Sequence, residues 1–117
     1  MGEPSESKAS TGTTYPEKRA VPRYTFIASV TFTEDATKTK MAGRISEISR
    51  KGCYVDILNT LPVGTMLYLV ITRDQGTFST PGKIIYFQES MGMGVAFVDT
   101  PSDQLKILDG WLAELSE

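Results

Sequence analysis

"YTFIASVTF", residues 24–32, decides the fold. Tyr24, Phe26, Ala28, Val30 and Phe32 stand at every second position, with Thr25, Ile27, Ser29 and Thr31 between them. A period of two sends the two sets to opposite faces of an extended strand, so one face is built for a core and the other is largely polar.

The same reading extends along the chain. "MAGRISEIS" (41–49) and "CYVDIL" (53–58) read as second and third strands, joined by the tight polar connection "SRKG" that ends in Gly52. "NTLPVGT" (59–65) is a loop, and "MLYLVIT" (66–72) a β-branched, largely buried strand. After the turn "RDQG" (73–76), "TFSTPGKIIYFQE" (77–89) is a long strand in which Pro81-Gly82 predicts a bulge or bend. "SMGMG" (90–94) turns the chain into "VAFVD" (95–99). Six short strands with turns at regular spacing predict a small barrel or a sandwich.

The period then changes. "TPSDQLKILDGWLAEL" (100–115) places Leu105, Leu108, Trp111, Leu112 and Leu115 on one helical face. This predicts an amphipathic helix over 101–115 lying across one end of the β structure. Thr100 suits the N-cap, Pro101 the first helical position, and Asp103 follows three residues after the cap. Residues 1–18 are rich in Ser, Thr, Glu, Lys, Gly and Pro without apolar periodicity, and are expected to form a flexible tail. The folded unit is therefore expected over 19–117.

Composition narrows the function. The 117 residues suffice for one domain with a modest core. Twelve basic and 14 acidic residues give a net charge of −2, which argues against bulk nucleic-acid binding. No apolar run approaches the roughly 20 residues of a membrane helix, so no membrane insertion is expected. Cys53 is the single cysteine, which fits a reducing, cytoplasmic setting. With no histidine and one cysteine the usual zinc and iron sites cannot be built, and no imidazole is present to activate a serine. An enzyme is not expected, nor a cofactor. "GTFSTPGKI" (76–84) departs from a phosphate-binding loop by one extra residue and by Ile84 where Ser or Thr would meet magnesium. "GMGV" (92–95) leads into a strand rather than a helix and reads as a hairpin turn.

Two short stretches carry candidate chemistry. In "RAVPR" (19–23) Pro22 pushes Val21 toward extended geometry, which separates Arg19 and Arg23 by at most about 13 Å. That span suits a ligand with two anionic or acceptor-rich ends. An arginine fork matches phosphate or guanine O6 and N7 and stacks on a base. In "EISRKG" (47–52) Glu47 and Ser49 share a strand face, Arg50 and Lys51 add positive charge at the turn, and Gly52 follows.

Together these stretches resemble the PilZ domain family. That family is similar in order: an RxxxR motif in an N-terminal segment, a strand, then D/N-x-S-x-x-G at the second hairpin. "RAVPR" supplies the first motif through Arg19 and Arg23, and "EISRKG" the second through Glu47, Ser49 and Gly52, with Glu47 where the family has Asp or Asn. "GMGVAFVD" resembles the family's last strand. The resemblance covers about residues 17–115. It implies a mainly β fold: a six-stranded antiparallel β-barrel with a C-terminal α-helix. It also implies binding of cyclic di-GMP, a bacterial second messenger with two phosphates and two guanines. Arg19 and Arg23 would meet the ligand from one side, and the Glu47–Ser49 strand edge would form the other wall. Gly52 would permit the turn and close ligand approach. A receptor of this kind, with no output module of its own, would act through an unidentified protein partner. The alternative is a ligand-independent PilZ-like interaction protein in pilus or motility machinery.

Overall fold

The computed structural model describes residues 21–74 and 76–116. Six strands follow in order: β1 (Arg23–Glu34), β2 (Lys40–Ser49), β3 (Gly52–Asp56), β4 (Met66–Arg73), β5 (Gly76–Gln88) and β6 (Gly92–Phe97). They close into a barrel in the order β1-β2-β3-β6-β5-β4, and every pairing is antiparallel. The sequence left barrel and sandwich open; closure of β4 onto β1 selects the barrel and leaves no edge unpaired among the described strands. Two three-stranded meanders, β1-β2-β3 and β4-β5-β6, are joined by the loop 57–65. Its backbone is tied to the second meander through Ile57 N–H to the Met91 carbonyl (3.1 Å) and Gly64 N–H to the Ile84 carbonyl (2.8 Å).

The alternation of β1 is realised as expected. Phe26, Ala28, Val30 and Phe32 are buried, and Thr25, Ile27 and Ser29 are exposed. The barrel interior is filled by Phe26, Phe32, Phe78, Ile45, Ile48, Leu67, Leu69, Ile71, Ile84 and Met93, each less than about one-fiftieth exposed. Each such side chain contributes roughly 1.5–3 kcal/mol when fully buried.

The strand irregularities fall elsewhere than the sequence indicated. Pro81 and Gly82 pair in regular register with Tyr68 and Leu67, so no bulge lies there. Gly82 is instead a packing glycine: a Cβ would come within 2.8 Å of the Val95 side chain. The break in β5 lies between Ile84 and Tyr86, where the register against β6 shifts. A second bulge sets Phe26 and Ile27 of β1 opposite Ser46 alone. "SMGMG" is not a turn throughout either: the reversal occupies residues 89–91, and Gly92 and Gly94 lie within β6.

The chain ends in α1 (Ser102–Leu115). Pro101, not Thr100, occupies the N-cap, and no side chain caps the helix. The Thr100 hydroxyl pairs instead with that of buried Thr80 at 2.7 Å, and this contact draws it away from the helix start. Gln104 Oε1 accepts from Ser79 N–H at 2.8 Å and ties the first turn to β5. Leu108 is fully buried, and Trp111 lies 5.3 Å from the Phe26 ring and 6.2 Å from the Phe78 ring. Leu105, Leu112 and Leu115 pack beside them, as their spacing predicts. The helix therefore covers the barrel where β1 and β5 begin.

Candidate functional site

The β2–β3 hairpin builds one wall of a depression on the outer face of the barrel. Its turn is held by Ser49, a buried hydroxyl that accepts from Lys51 N–H (3.1 Å) and Gly52 N–H (3.2 Å). A serine or threonine at the start of a tight turn holds it in this way. Arg23 is the register partner of Ser49 across β1, and Glu47 lies between Thr25 of β1 and Tyr54 of β3. Arg23, the described arginine of the first motif, and the motif at residues 47–52 thus converge through strand pairing. Arg23 Nη1 stands 3.8 Å from Glu47 Oε1. Both side chains are largely exposed, so solvent screens the pair; it aligns the two groups without adding much stability. Arg50 leaves the site: its Nε reaches Asp109 of α1 at 3.0 Å. Lys51 stays at the depression with Arg23. Arg19 lies outside the described residues, as do the tail residues 1–18.

Gly52 also has a packing reason that the sequence did not suggest. It sits in β3 against Ala96 of β6, and a Cβ there would lie 2.2 Å from the Val95 carbonyl oxygen. It permits the close approach of two strands. Left-handed backbone among the described glycines occurs at Gly64.

The depression has a volume of about 280 Å3. Its floor was not legible in the sequence. Gly94 pairs with Tyr54 on one side and Tyr86 on the other. The Tyr86 ring occupies the space a Cβ at 94 would need, and the Tyr54 ring does the same over Gly92. The two rings lie 6.2 Å apart, tilted by 32°. The Tyr54 hydroxyl donates to Gln88 Oε1. Desolvation, followed by the neighbouring Tyr86, Asp56 and Glu47, pushes the Tyr54 phenol above its ordinary value of 10.0, so it stays a protonated donor at neutral pH. The signal for this floor was the pair of glycines at alternate positions of one strand, which face one side. Glycines within a strand often mark a seat for a neighbouring ring or backbone.

The site thus combines two cations, a carboxylate and an aromatic floor. That set suits a flat ligand carrying both negative charge and hydrogen-bonding edges. Cys53, on the same strand, turns inward; burial pushes its thiol up to about 12, so it offers no nucleophile here.

The model of the PilZ domain family matches residues 17–114. Among solved structures, the chain is similar to the PilZ domain of YcgR from Escherichia coli with c-di-GMP: TM-score 0.71 and 14% identity over 86% of this chain and 92% of that one. It is also similar to the Bacillus subtilis inhibitor of motility MotI/DgrA (TM-score 0.69, 14% identity), covering 85% of this chain and 51% of that one. The PilZ domain of CeSA from a cellulose-synthesizing bacterium gives a TM-score of 0.63 at 17% identity, over 82% and 99%. At such identities the likeness is one of fold. None of the curated proteins compared with the chain matches it.

Proposed function

The chain belongs to the PilZ domain family, and from that premise we propose that it is a cyclic di-GMP receptor acting as an adaptor toward a protein partner. One observation carries the reading: Arg23, Glu47, Ser49 and Gly52, drawn from three strands, meet at a single depression on the outer barrel wall. Arg23 and Arg19 bind the guanine edges and phosphates from one side. Glu47 and the turn held by Ser49 form the other wall. The segment carrying Arg19 closes over the ligand and presents a new surface to the partner. Similarity to a YcgR PilZ domain solved with c-di-GMP supports this choice of ligand. No helix among the described residues is long and apolar enough to cross a membrane. We place the receptor in the cytoplasm, with residues 19–117 as its folded unit, and assign it no catalysis.

A second reading, a ligand-independent interaction protein, draws support from the Arg23–Glu47 contact, which gives Arg23 a partner without any ligand. Calorimetric titration of cyclic di-GMP into the full chain separates the two. The receptor reading expects saturable binding, weakened by about 1–3 kcal/mol in each of Arg19→Ala and Arg23→Ala. Absence of binding, or unchanged affinity in both variants, refutes it.

A further inference from the structure

We propose that the Tyr86 ring, packed over Gly94, is the surface on which one guanine base of the ligand stacks. This rests on the receptor reading above and adds a residue outside both arginine and serine–glycine motifs.

The argument starts from the bulge in β5. Ile84 pairs with Val95, and both are buried in the barrel. Tyr86, two residues on, would point the same way in a regular strand. The extra residue Ile85 reverses it, so Tyr86 pairs with Gly94 and faces outward. Gly94 then leaves room for the ring, since a Cβ there would stand 2.2 Å from a Tyr86 ring carbon. Two sequence features, an added residue and a missing side chain, produce one result: an aromatic ring packed over Gly94 on the outer wall. It is no core residue, because Tyr86 remains 42% exposed and lines the depression.

The neighbours of the ring fit a base. Tyr54 flanks it at 6.2 Å and is itself held by Gln88, so the ring has a fixed neighbour. Arg23, Lys51 and Glu47 line the same depression. An aromatic ring sharing a depression with cations and a carboxylate fits a flat base attached to a phosphate better than it fits a phosphate alone.

The test uses the full chain and cyclic di-GMP, with Tyr86→Leu, Tyr86→Phe and Gly94→Ala. Tyr86→Leu is expected to weaken binding roughly 5- to 100-fold, and Tyr86→Phe by less than about 2-fold. Gly94→Ala keeps the tyrosine but lifts its ring, so it should resemble the leucine variant. Proton NMR of the saturated ligand adds a readout that packing alone would not move. A guanine H8 signal should shift upfield with wild type and Tyr86→Phe, and not with Tyr86→Leu. Wild-type affinity in Tyr86→Leu, or an H8 shift that survives the leucine, overturns the stacking assignment and leaves the receptor reading standing. Failure of the wild-type chain to bind overturns both.

Discussion

Gly52→Ala should destabilise the barrel in the absence of any ligand. The added Cβ would sit 2.2 Å from the Val95 carbonyl oxygen, 3.2 Å from its carbonyl carbon and 3.3 Å from the Ala96 Cα. All three are backbone atoms of β6, so no side chain can rotate away. The start of β3 is pinned as well: Gly52 N–H bonds to Ser49 Oγ, and Phe97 N–H bonds to the Lys51 carbonyl at 2.8 Å. Relief requires β3 and β6 to separate locally. Overpacking of this kind costs about 1–3 kcal/mol. Lower freedom of the unfolded alanine chain offsets about 0.4–1 kcal/mol of that. The net loss should be about 1–2 kcal/mol, or roughly 5–15 °C in Tm for a domain of this size. Urea unfolding of the ligand-free protein, followed by Trp111 fluorescence, measures it. Gly43→Ala is the internal control, because its Cβ would meet neighbours no nearer than 3.4 Å, an ordinary contact. Equal stability of wild type and Gly52→Ala would refute the strand-approach account and return Gly52 to a purely ligand-facing role.

Glu47→Asp should tighten cyclic di-GMP binding by about 0.5–1.5 kcal/mol, because the shorter acid loses less rotamer freedom and draws back from Arg23. Glu47→Ala should bind more weakly. Dissociation constants for the three proteins at one salt concentration decide this, and weaker binding by the aspartate variant would sink it. Cys53 predicts an alkaline limit. Its thiol titrates at an ordinary 9.0 when unfolded and at about 12 when folded, so above pH 9 the unfolded state binds fewer protons. The stability is fully present below pH 9 and is lost as pH rises toward 12. Between pH 8 and 10 the wild type should lose about 1.4 kcal/mol more than Cys53→Ala in urea unfolding; parallel losses would contradict the buried-thiol account.

What the sequence determined by itself was local. The alternation of Phe26, Ala28, Val30 and Phe32 depends only on the period of a strand. The spacing of Leu105, Leu108, Trp111, Leu112 and Leu115 depends only on that of a helix. Arg23, Glu47, Ser49 and Gly52 could be singled out as candidates because their motifs are contiguous in the chain, and the Ser49 hydroxyl reaches its turn partners within three residues. What tertiary structure decided was register. Whether six strands close as a barrel depends on β4 meeting β1, about forty residues apart in the chain. The Ile85 bulge, not Pro81-Gly82, breaks β5, because a proline can sit in a strand whose pairing does not need its missing N–H. Thr100 looked like a helix cap, but Thr80, twenty residues upstream, competed for its hydroxyl. The aromatic floor depended on register too. Tyr54, Gly94 and Tyr86 are neighbours only across three paired strands, and a shift of one residue in either pairing would turn a tyrosine to the other face.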